Sequence, residues 1–181
     1  MNNLIYPCFW LNGNAREAAN FYTGVFDNSS VIEENQMVSV FESDGQRFLC
    51  LNGGPEFKIN PSISFYIVYD SELKLDKTWS ILADGGSVLM PLGKYEWTER
   101  YGWLQDRFGV SWQLSLGKLE NVGQQFAPVL MFTGKQAGKA EQAVQYYTSV
   151  FKGSSIVGIL KYQKGENEVE GTLHPLGVFT I

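Results

Sequence analysis

Tyr22-Thr23-Gly24-Val25-Phe26 and Tyr147-Thr148-Ser149-Val150-Phe151 are nearly the same five residues, and the likeness extends to both sides. Residues 7–13 correspond in character to residues 128–134, and Ser29-Ser30-Val31-Ile32 corresponds to Ser154-Ser155-Ile156-Val157. Ahead of each pentapeptide and through it, small and apolar residues fall at helical spacing: Ala15, Ala18, Ala19, Tyr22, Val25 and Phe26 in the first copy. Ala140, Ala143, Val144, Tyr147, Val150 and Phe151 repeat that face, after four extra residues. The chain therefore holds an internal duplication at a spacing of about 120 residues, well beyond the short periods of solenoids.

The first copy reads in order as follows. Residues 4–11 are apolar throughout and predict a strand that is central or covered on both faces. Asn14 is the predicted N-cap of a helix over residues 15–26. Short strands follow over 31–34, 37–42 and 47–51, the last two joined by a hairpin turn at Ser43-Asp44-Gly45-Gln46. Rings and β-branched residues predict a strand over 63–69. A helix over 72–83 carries Leu75, Trp79, Leu82 and Ala83 on one face and ends at Asp84-Gly85-Gly86. Residues 88–92 are extended. Residues 93–102, polar and rich in turn formers, are either a loop folding over a cavity mouth or a long hairpin connection.

Asp106-Arg107-Phe108-Gly109-Val110-Ser111-Trp112-Gln113-Leu114 closes this half. It predicts a turn with one charged pair, in which Asp106 either forms the turn or pairs with Arg107. In the strand that follows, alternation aims Gln113 to one face and Trp112 and Leu114 to the other. The domain reading is a complete βαβββ module over 1–118, a linker over 119–125 and a partial second module over 126–181. The second copy stops at Gly177-Val178-Phe179-Thr180-Ile181, where the first is near its third or fourth strand.

Composition narrows the class of function. With 181 residues the chain buries roughly 70% of its unfolded surface, enough for a real core. Apolar residues make up 44% and include 12 Phe, 9 Tyr and 5 Trp, so some rings are free to line a pocket or an interface. A net charge of -5 without a Lys/Arg cluster speaks against nucleic acid. No apolar run approaches the roughly 20 residues of a membrane span. Cys8 and Cys50 sit in strand-like surroundings and read as free, buried thiols, with one bridge between them the alternative, and a cytoplasmic location is the default expectation.

The duplicated strand-helix-strand pattern with Tyr-Thr-x-Val-Phe closing each first helix resembles the vicinal-oxygen-chelate superfamily of glyoxalase I, bleomycin-resistance proteins and extradiol dioxygenases. The nearer resemblance is to its PhnB-like branch, often labelled 3-demethylubiquinone-9 3-methyltransferase. It is carried by Trp10-Leu11-Asn12-Gly13-Asn14-Ala15, Leu51-Asn52-Gly53-Gly54-Pro55, Leu92-Gly93-Lys94-Tyr95 and Tyr101-Gly102-Trp103-Leu104-Gln105-Asp106-Arg107-Phe108-Gly109. In the second copy it is carried by Phe132-Thr133-Gly134-Lys135-Gln136-Ala137-Gly138. The resemblance implies an α+β fold of paired βαβββ modules curving around a cavity, with the second copy incomplete, and a homodimer.

In the metal-dependent relatives, the ligand positions fall here on Tyr6 or Pro7, on Ser62 and on Gln113. None of these is a good divalent-metal ligand, so no metal and no other cofactor is expected in the first module. His174, the single histidine, stands near Glu168 and Glu170 and is a candidate acid or base. The methyltransferase label lacks the glycine-rich loop that a nucleotide-like methyl donor requires, because Asn12-Gly13-Asn14 has one glycine. The residues predict binding of a small organic molecule in an aromatic-lined cavity by Gln113, Tyr6, Ser62, Tyr66, Trp97 and Tyr101. Glu96, Glu99 and Asp106 are the nearby acid or base candidates. The alternatives are a small-molecule transferase, lyase or isomerase, and a non-catalytic oligomeric structural protein.

Overall fold

Phe9 and Leu11 turn into the core while Trp10 stays half-buried and Cys8 exposed, and this alternation sets the first sheet. The computed structural model describes residues 5–121, 123–159 and 177–180, in two compact units, Met1–Val129 and Leu130–Ile181. The first unit opens with β1 (Cys8–Leu11), α1 (Ala15–Val25), β2 (Ser29–Glu34), β3 (Val38–Ser43) and β4 (Gln46–Asn52). These strands lie in the order β1-β4-β3-β2, with β1 parallel to β4 and the other pairs antiparallel. The first strand is thus shorter than predicted, stands at a sheet edge and buries one face only.

The pattern then repeats: β5 (Ile63–Tyr69), α2 (Glu72–Ala83), β6 (Ser87–Tyr95), β7 (Thr98–Gln105) and β8 (Ser111–Leu116). The second sheet runs β6-β7-β8-β5, with β9 (Phe126–Leu130) added beyond β5. Residues 8–116 therefore hold two βαβββ units, where the sequence reading took 1–118 as one. The Tyr-Thr-x-Val-Phe signature occurs on α1 and has no counterpart on α2, so the shorter repeat leaves no mark in the letters.

Local chemistry explains most boundaries. The β3–β4 hairpin turns at Asp44 and Gly45, both at positive φ (46° and 79°), as a two-residue hairpin requires. At the start of α1, Asn14 occupies the N-cap position but makes no side-chain cap bond. Asn52, at the end of β4, does the capping instead: its Oδ1 accepts from the Ala15 N–H at 2.9 Å while its Nδ2 donates to the Gln36 carbonyl. At α2, Ser71 caps through its own side chain, and Gly85 takes the positive φ that ends the helix.

The core is largely aromatic. Phe41 and Phe48 stack at 4.8 Å across the first sheet, and the Trp112 ring of β8 packs against Tyr22 of α1 (5.4 Å) and Phe65 of β5 (5.3 Å). The excess of rings noted in the sequence is thus used first to join the two βαβββ units. Cys50 lies in this core, its thiol pushed up to about 12 by burial, whereas Cys8 is exposed, contrary to the expectation of two buried thiols. Both are free.

In the second unit, α3 (Ala140–Val150) forms on the predicted face, and β10 (Ser155–Ile159) pairs antiparallel with β11 (Gly177–Thr180). A short 3-10 turn at Gly134–Gln136 lies in the segment where the extra residues fall. Glu168, Glu170 and His174 lie outside the described residues. Among the described residues no helix is long and apolar enough to cross a membrane.

Candidate functional site

The strand register of the second sheet assembles the site. Tyr66 stands opposite Gln113, Gln113 opposite Trp103, and Ser115 opposite Tyr101. Because side chains alternate, Ser64, Tyr66, Ser111, Gln113, Ser115, Tyr101 and Trp103 share one face, while Phe65, Ile67, Leu104, Trp112 and Leu114 are buried in the core on the other. The predicted division of Gln113 from Trp112 and Leu114 follows directly from this pleat.

On the first face a short hydrogen-bond chain crosses three strands. The Tyr101 hydroxyl donates to Gln113 Oε1 at 2.7 Å, and Gln113 Nε2 donates to Ser64 Oγ at 2.7 Å. Alongside, the Trp103 indole N–H donates to Ser111 Oγ at 2.7 Å. Burial, together with the neighbouring Tyr66 and Tyr95, pushes the Tyr101 phenol up, so it stays protonated and remains a donor. The chain fixes the amide of Gln113 with its oxygen toward Tyr101 and its nitrogen toward Ser64.

Residues 93–102, left open as a lid or a hairpin, form the β6–β7 hairpin, with Glu96 and Trp97 at its tip. Trp97 stacks on Tyr95 at 5.1 Å and meets the Tyr101 ring edge-on at 5.8 Å, and Tyr101 lies 6.4 Å from Tyr66. At this end of the sheet is a cavity of about 200 Å³, walled by Tyr66, Val68, Trp97, Thr98, Ser115 and Leu116, with Lys118 at its rim. A hollow of about 260 Å³ lies within the second unit against Phe132, Tyr146 and Tyr147. The first is the better candidate because its wall includes Tyr66, the strand neighbour of Gln113, and Ser115, on the same face as the oriented amide, with Trp97 at the hairpin tip.

The predicted residues divide accordingly. Gln113, Tyr66, Trp97 and Tyr101 come together on this face. Tyr6 lies exposed ahead of β1, and Ser62 is exposed in the turn before β5, its N–H held by Asn60. The serine that Gln113 engages is Ser64, two residues on; counting back in steps of two from Tyr66 would have found it. Glu96 is exposed, and both oxygens of Glu99 hold Lys94, at 2.9 and 2.7 Å. Thr98, Ser115 and Lys118 were missed; Ser115 alternates in phase with Gln113, which is the signal that could have found it.

Of the two readings of Asp106, turn former or partner of Arg107, the pair does not form and the side chain holds the turn. Arg107 instead reaches Asp84, at 2.6 Å, and its guanidinium covers the Phe21 ring. Asp106 is buried behind the site, where its Oδ2 accepts from the Tyr22 hydroxyl (2.6 Å) and the Trp112 indole N–H (2.7 Å). Its Oδ1 accepts from the backbone N–H groups of Phe108 and Val110. Sealed in this way, it is a brace for the strand that carries Gln113.

The site face suits a metal poorly. Gln113 and Ser64 are neutral donors already committed to each other, and Tyr101 keeps its proton. Among the described residues no three His, Cys, Asp or Glu side chains gather to hold a metal ion.

A family model described as 3-demethylubiquinone-9 3-methyltransferase matches residues 3–115 and 124–181. Among solved structures, the chain is 34% identical to a PhnB protein from Bacillus cereus, over 62% of this chain and 98% of that one, with a TM-score of 0.59. It is 26% identical to protein PA1353 from Pseudomonas aeruginosa, over 62% and 96% of the two chains, with a TM-score of 0.54. A glyoxalase-related enzyme from Fulvimarina pelagi, 14% identical over 64% and 88% with a TM-score of 0.50, shares the fold. A comparison with curated proteins gives no match.

Proposed function

The chain belongs to the family described as 3-demethylubiquinone-9 3-methyltransferase, in the PhnB-like branch of the vicinal-oxygen-chelate superfamily; from that premise we propose that it binds a small organic ring molecule in the aromatic cavity of its second sheet, without a metal. The observation that carries the reading is the Tyr101–Gln113–Ser64 chain set beside a cavity walled by Tyr66 and Trp97. Ligand sites combine apolar and aromatic walls with a few fixed polar groups, and this face has that composition. Binding is favoured over catalysis because, among the described residues, no carboxylate, imidazole or thiol lines the cavity, whose walls are neutral apart from Lys118 at the rim. The buried carboxylate, Asp106, has its lone pairs turned to Tyr22, Trp112 and the backbone. Methyl transfer from a nucleotide-like donor is disfavoured as well, since the N-terminus of α1 is occupied by Asn52.

Benzamide, an uncharged ring, serves as the test probe. It is expected to quench the emission of Trp97 saturably, measured as the difference between the native chain and Trp97→Phe. Tyr66→Ala is expected to weaken the affinity about tenfold through the lost ring contact. Quenching that rises linearly without saturation, and equally in Tyr66→Ala, contradicts the reading.

A further inference from the structure

We infer that the molecule held in this cavity is a planar organic acid, a single substituted ring bearing one negative charge, with its ring against Tyr66 and Trp97 and its charge toward Lys118. The inference rests on the proposed binding function and narrows it to a ligand class. Size comes first. A cavity of about 150 Å³ lined by apolar side chains takes up benzene, so about 200 Å³ leaves room for one ring with a small substituent.

The walls set the shape. Tyr66 and Trp97 present flat surfaces, and Val68 and Leu116 fill the remaining apolar wall. Trp97 is 64% exposed. A Trp placed at a hairpin tip, held by stacking on Tyr95 and still open on one side, gains its missing contact when a ring settles against it.

The sign of the charge comes from Lys118, the one ionised side chain lining the cavity among the described residues. Its ammonium lies 3.7 Å from Glu120, and both side chains are about three-quarters exposed, so that ion pair is loose. Lys118 is therefore able to turn to an anion at the cavity mouth. The other cations of the hairpin are engaged: Lys94 is held by both oxygens of Glu99, and Arg100 by Asp76 and Glu72. The hydroxyl of Thr98 is engaged with the carbonyls of Arg100 and Leu116, and the Gly117 N–H donates to the Tyr69 carbonyl; the Tyr66 and Ser115 hydroxyls and the Trp97 indole N–H on the wall are neutral, which leaves Lys118 as the charged donor for a carboxylate.

Isothermal titration of the full chain with benzoate and with benzamide, at low salt and neutral pH, tests the inference. Benzoate is expected to bind about tenfold more tightly than benzamide. Lys118→Gln is expected to bring the ratio to about one, and Lys94→Gln to leave the ratio intact. Equal affinities in the native chain, or a ratio that survives Lys118→Gln, overturn the acid specificity while saturable benzamide binding leaves the ring-binding function standing. Failure of both compounds to bind overturns both.

Discussion

Replacing Asp106 with alanine is expected to lower the free energy of unfolding by about 3–5 kcal/mol, because it strands four donors in the core at once. The Tyr22 hydroxyl, the Trp112 indole N–H and the N–H groups of Phe108 and Val110 all converge on this carboxylate at 2.6 to 3.0 Å. Asp106→Asn keeps an oxygen for the two backbone donors but sets an amide NH2 against the Trp112 N–H, and is expected to cost about 2 kcal/mol. Urea denaturation followed by tryptophan emission checks both. A loss below about 1 kcal/mol for the alanine variant would show that the brace does not hold the turn.

The same residue gives stability a pH dependence of definite sign. Burial raises the Asp106 carboxyl above its ordinary value, and the four hydrogen bonds it accepts pull the other way without cancelling the rise. Between the ordinary value and the raised one, the folded state holds the proton more tightly than the unfolded state. This contribution to stability is complete below the ordinary carboxylate range and is lost as pH rises through the raised value. The deficit of Asp106→Ala relative to the native chain is therefore expected to shrink as pH rises through that window.

Gly86→Ala carries the second large effect, about 3 kcal/mol of destabilisation. Gly86 follows α2 at the point where the backbone of the Asp106 turn passes closest. A methyl group there would be driven into the Gln105 carbonyl oxygen and toward the Asp106 Cα, and backbone atoms have no rotamer by which to yield. Gly85, one residue earlier, meets only the Arg107 side chain at 3.4 Å and pays chiefly for its φ of 74°. Gly85→Ala is expected to cost about 1 kcal/mol, so that thermal unfolding of the two variants separates close approach from conformational strain. Equal losses would mean that the α2–β7 spacing relaxes.

Features fixed by local sequence were legible. The strand Ile63–Tyr69 and the helix Glu72–Ala83 match their predicted spans residue for residue, since alternation, helical spacing and the glycine after α2 are all written within a few letters. The face shared by Gln113, Tyr66 and Tyr101 follows from the period of two once the strands are known. What was not legible depends on residues distant in sequence. Tyr22 and Asp106 are 84 positions apart, and Asn52 caps a helix that begins 37 positions earlier; nothing local to either partner names the other. The lid-or-hairpin choice at residues 93–102 failed to resolve because Glu96 and Trp97 form the turn without a glycine or proline to mark it.

The most direct test of the account follows side-chain signals by nuclear magnetic resonance during titration with benzamide. The Gln113 amide, the Trp97 indole N–H and the Tyr66 ring are expected to shift together and to saturate at one affinity. The indole of Trp79, which packs on Gly102 from the α2 side, and that of Trp10, in the first sheet, are expected to stay in place. Saturable shifts at Trp79 or Trp10 with none at Gln113 and Trp97 would contradict the assignment of the ligand site to this face of the second sheet.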